Sequence, residues 1–100
     1  MAIQMKEEYG ILKILGVLNS ETARLTTNHV NKLLEKTERV MLSLEGVLSM
    51  DRTAAKSIEK LYTDSVQNDK ILSIFGIQNG NISDVLRETN TQYMLSSDRE

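Results

Sequence analysis

From Ala23 to Val47, apolar side chains return every three to four residues. Ala23, Thr26, Val30, Leu33, Thr37, Val40, Leu44 and Val47 fall at the a and d positions of a heptad, and Leu34, Met41 and Leu48 at e widen the stripe. A stripe of that width suits a helix packed in a bundle better than a bare coiled-coil seam. Asn19 and Ser20 stand at its start, and their side chains can accept from the free amides of a first turn. The pattern predicts one long helix over 20–48.

Ser49, Met50 and Asp51 offer a second helix start, and Ala54, Ala55, Ile58, Leu61 and Tyr62 share one side of the helix expected over 51–67. Upstream, Ile11, Leu12, Ile14, Leu15, Val17 and Leu18 leave little polar face. That run predicts a short buried helix, with a strand as the alternative, because periodicity alone does not separate the two. Downstream, residues 69–88 read DKILSIFGIQNGNISDVLRE, the apolar skeleton of a helix-turn-helix. Ile71, Leu72 and Phe75 would line its first helix, Gly76 the turn, and Ile82, Val85 and Leu86 the second helix. Asn81 and Asp84 are spaced as a capping pair for that second helix.

The fold class expected from these elements is all-α. It is a small helical bundle in a single domain, residues 1–100, with 20–48 and 51–67 as a long antiparallel pair and 69–88 as a C-terminal helical corner. The absence of proline agrees, because proline breaks helix interiors. Phe75 and the three tyrosines are the whole aromatic content, so the core must be aliphatic. A thin core in a short chain favours completion by a second chain.

Charge narrows the function. Twelve basic and fourteen acidic residues give a net charge of −2, without the basic excess of a general nucleic-acid binder. In the corner only Arg87 of the second helix is cationic, between Asp84 and Glu88. A structural corner is therefore preferred, and a small dimeric helix-turn-helix DNA-binding regulator using residues 69–92 is the alternative. With no cysteine there is no thiolate, disulfide or cysteine metal site. His29, the only histidine, has no triad logic to join. No HExxH, calcium loop, GxGxxG or P-loop spacing occurs. No enzyme activity, metal or cofactor is expected.

The longest apolar run, Tyr9 to Leu18, reaches about half of the ~20 residues a membrane helix needs. It follows Glu7 and Glu8 rather than a basic region, so neither a span nor a signal peptide is expected and the location expected is cytoplasmic. The function these features predict is non-enzymatic protein–protein interaction or assembly, as an adaptor, chaperone-like or structural subunit. It would act as a homo-oligomer or with a protein partner, through Val30, Leu33, Val40, Leu44 and Val47 of the stripe.

Overall fold

Residues 3–96, described by a computed structural model, alternate strands with helices. In chain order they are β1 (Ile3–Glu8), β2 (Ile11–Leu18), α1 (Ser20–Lys36), β3 (Arg39–Met50), α2 (Arg52–Gln67), β4 (Ile71–Phe75) and α3 (Gly80–Glu88), followed by a 3₁₀ turn, Gln92–Met94. The strands form one mixed sheet in the order β1-β2-β3-β4. β1 runs antiparallel to β2, while β2, β3 and β4 are parallel. The fold is α/β, and the expected all-α bundle with its coiled-coil stripe is overturned in three places.

The first is the N-terminal segment, which is a hairpin and not a helix. Leu12, Ile14 and Leu18 are buried against the helices, while Ile11, Lys13, Leu15 and Val17 remain half-exposed on the other face. Tyr9 and Gly10 form its turn with φ of 55° and 80°. Two left-handed residues in a two-residue loop match the right-handed twist of the paired strands.

The second is the heptad stripe, which breaks at Thr37. The Thr37 amide donates to the Leu33 carbonyl at 3.0 Å and closes α1. Beyond it Val40, Leu42 and Leu44 are buried, while Arg39 and Glu45 are exposed, the alternation of a strand. Val40, Leu44 and Val47 mimic heptad spacing because β3 is irregular. Lys13 and Leu15 pair with Ser43 and Gly46, and Gly16 and Val17 pair with Val47 and Ser49. At each step β3 carries one residue more than β2, as in a bulge. The first extra residue turns Val47 inward, and the second leaves Leu48 exposed.

The third is the helical corner. Ile71–Phe75 pairs in parallel with Arg39–Ser43, so the expected first helix is a strand. The DNA-reading alternative falls with it, because the two crossing helices it requires do not form. The expected antiparallel helix pair is corrected too. α1 and α2 each connect parallel neighbouring strands, so they run alongside one another in the same direction.

The expected helix starts do form. Asn19 accepts from the amides of Glu21 and Thr22, and Asp51 accepts from Ala54 at 2.8 Å. The last helix is capped by Asn79 rather than Asn81, with the Asn81 amide donating to Asn79 Oδ1 at 2.9 Å. The helices cover one face of the sheet. There Ala23, Val30, Ala54, Ala55, Ile58, Ile82 and Leu86 meet Leu12, Ile14, Leu42, Leu44 and Ile74 in a single core.

Candidate protein-docking site

Parallel strands joined by helices bring the C-terminal ends of β2, β3 and β4 to one edge. Open α/β sheets bind their ligands beyond that edge. Here the edge presents the entrances to all three helices, and two side-chain caps hold the first two in place. Asn19 makes a capping box with Thr22, and Asp51 holds the first turn of α2.

Asn79 ties the third entrance down. It is 7% exposed, and its Nδ2 donates at 2.8 Å to the carbonyls of both Leu44 and Val47. The β4–α3 loop is thereby anchored to the irregular part of β3. Two large aliphatic side chains are left facing solvent on these two segments, Leu48 at 64% and Ile77 at 52% exposure. Arg52 and Thr53, both exposed, follow in the first turn of α2. The Arg52 guanidinium reaches Glu88 Oε1 at 3.2 Å.

Between α1 and α2 lies a groove of about 380 Å³ lined by Ser20, Arg24, Thr27, Thr53, Ser57 and Lys60 among others. It is rich in hydroxyls, and its Lys60 is engaged by Asp64 at 2.9 Å. His29 lies on the outer side of α1, 3.7 Å from Glu7. Among the described residues no three His, Asp or Glu side chains converge as metal ligands. No helix there is long and apolar enough to cross a membrane. Chemically, the edge offers exposed aliphatic anchors flanked by hydroxyls and charge, the make-up of a surface that docks on protein.

The association residues expected from the stripe lie elsewhere. Val30, Val40, Leu44 and Val47 are buried inside the chain, and Leu33 is half-buried near the end of α1. Conversely, Leu48 reads in sequence as an e position, and Ile77 falls directly after the turn glycine of the expected helical corner. The available signal for Leu48 is its place just before the helix start at Ser49–Asp51.

A mixed sheet with its helices on one face and their entrances gathered at one edge defines the class. The chain belongs to the STAS-domain family, whose sequence profile matches residues 1–92. Among solved structures it is similar to the anti-sigma factor antagonist SpoIIAA in its unphosphorylated form. That likeness has a TM-score of 0.70 and 10% identity, over 99% of this chain and 90% of that one. No curated protein matches the chain.

Proposed function

We propose that this protein is a non-enzymatic regulatory module that binds a protein partner through the C-terminal edge of its sheet. The observation that carries the reading is the exposure of Leu48 and Ile77 on two segments that Asn79 fastens together. Burying two such aliphatic side chains against a partner is worth about 1.5–3 kcal/mol each. The fold match to an anti-sigma factor antagonist supports a partner of that kind, a protein that itself restrains another protein.

The SpoIIAA structure is that of an unphosphorylated form, and this chain has a hydroxyl suited to control by phosphorylation. Thr53 is exposed in the first turn of α2, next along the chain from the Leu48–Asp51 segment. A phosphate there would be stabilised by the helix N-terminus, and it would charge the apolar docking surface.

The test is affinity capture from the native host with wild type, Leu48→Asp and Glu35→Gln, followed by titration of the captured protein. Wild type and Glu35→Gln should bind alike, and Leu48→Asp should lose binding while keeping its circular dichroism. Equal binding by all three places the interface elsewhere.

A further inference from the structure

The other end of the sheet carries a second, separate feature at the β1–β2 turn. The Tyr9 side chain is 97% exposed, on a backbone with φ of 55°. That left-handed conformation is strained for any residue with a Cβ, and an aromatic has no local hydrogen bond to offset it. Asparagine before glycine is the ordinary choice in such a turn. Here an aromatic ring is held out in water at a position that disfavours it.

Against the turn, with Tyr9 and Gly10 forming part of its wall, lies a cavity of about 400 Å³ whose other lining is Leu12, Leu33, Val40 and Met41 with Thr37, Glu7 and Arg39. Its floor is aliphatic, and its two charged residues are exposed. Among the described residues the Arg39 side chain makes no ion pair or hydrogen bond. Glu7 has only a 3.7 Å approach to His29.

This chemistry suits a phenol. The aliphatic floor takes the ring, the guanidinium can lie over its face, and the carboxylate can accept its hydroxyl proton. The chain itself supplies such a group next to the cavity. The patch also carries one charge of each sign, Glu7 and Arg39 on the same cavity, so a twofold axis passing between them would set Glu7 of one copy against Arg39 of the other. We infer that the occupant is a second copy of this chain: two protomers exchange Tyr9 across a twofold axis, each ring entering the cavity beside the other's turn. Leu33, one of the residues expected from the stripe to mediate association, lies in this cavity. The docking edge is at the opposite end of the sheet and remains free in the dimer.

Sedimentation equilibrium of the purified chain up to about 1 mM, where an association of only ~4 kcal/mol is visible, reads the proposal directly. The wild type should dimerise reversibly. Tyr9→Asn should dimerise at least tenfold more weakly and melt at a higher temperature, because the turn is relieved as the contact is lost. Glu7→Arg and Arg39→Glu should each be monomeric alone, since each sets like charges together. Their equimolar mixture should dimerise, because both crossed pairs are restored. A wild type that stays monomeric at the highest concentration overturns the proposal. So does Tyr9→Asn dimerising as well as wild type, or a charge-swapped mixture that fails to associate.

Discussion

Leu15 folds its side chain over the α-carbon of Gly46, its partner across the β2–β3 pairing. A Cβ on Gly46 would overlap Leu15 Cδ2 and stand 3.3 Å from the Ile14 carbonyl oxygen. The side chain can swing away, but the strand carbonyl cannot. Gly46→Ala should therefore cost about 1–3 kcal/mol, the range of overpacked sites, by urea denaturation. Leu15→Ala in the same chain should recover part of that loss. A double-mutant cycle with no coupling between the two positions would show that they do not compete for this space.

Thr53 separates loss of a hydroxyl from gain of charge at the docking edge. Among the described residues its hydroxyl makes no hydrogen bond, so Thr53→Val should leave both stability and partner binding near wild type. Thr53→Asp adds a negative charge to a helix's first turn, which should raise stability by about 0.3–1 kcal/mol. The same charge stands at the start of α2, five residues along the chain from Leu48, so partner affinity should fall if the proposed edge is the interface. Calorimetric titration of both variants with the captured partner checks this. Unchanged affinity for Thr53→Asp would remove Thr53 from the interface.

The local signals in this sequence were legible, and the pairing partners were not. Asn19 and Asp51 start helices because capping depends on a few neighbouring residues. The α2 side carrying Ala54, Ala55, Ile58 and Leu61 is buried as its spacing implies. In β3, by contrast, Val40, Leu44 and Val47 fit a helix as well as a bulged strand. Only pairing with β2 and β4 decides between them. Leu42 was the discriminating residue, since it makes Val40, Leu42 and Leu44 a period-two run that a heptad leaves unexplained. The short apolar run Ile71–Phe75 is likewise fixed as a strand by Arg39–Ser43 beside it. The proposed docking edge is not legible for the same reason, because the exposure of Leu48 follows from the bulges in β3 and Ile77 lies on a loop that Asn79 ties to β3.

Tyr93 and Glu59 give the stability a pH signature at both extremes. The Tyr93 hydroxyl donates to Glu59 Oε2 at 2.6 Å. That bond holds the Glu59 carboxyl below its usual range, with Lys56 assisting, and holds the Tyr93 phenol above its usual range. The lowered acid contributes fully above the ordinary glutamate range, and its contribution is lost as pH falls through the depressed value. The raised phenol contributes fully below the ordinary tyrosine value of about 10, and its contribution is lost as pH rises through the elevated one. Tyr93→Phe keeps the edge-to-face contact with Tyr62, whose ring centroid lies 6.1 Å away, but removes the hydrogen bond. Urea midpoints measured across the alkaline range should fall less steeply for Tyr93→Phe than for wild type. Identical slopes would show that the bond contributes nothing in solution.

Asn79 is the side chain on which the proposed docking edge depends, and its two amide ends do different work. Nδ2 satisfies the Leu44 and Val47 carbonyls, while Oδ1 caps the first turn of α3. Asn79→Ala removes all three bonds at a position only 7% exposed. A lost cap and stranded buried carbonyls together should cost about 2–4 kcal/mol. Partner affinity should drop as well, because Ile77 is no longer fixed relative to Leu48. Asn79→Asp keeps the cap oxygen but turns an acceptor toward two carbonyl oxygens. When ionised, the introduced carboxyl repels both, and when protonated it can donate to one. Its pKa should therefore be raised, which makes this variant relatively most stable at low pH and progressively weaker as pH rises through that value. Thermal melts of wild type, Asn79→Ala and Asn79→Asp across the acidic range would show it. A deficit for Asn79→Asp that does not shrink on acidification would mean that the amide's donation to β3 is not what holds the loop.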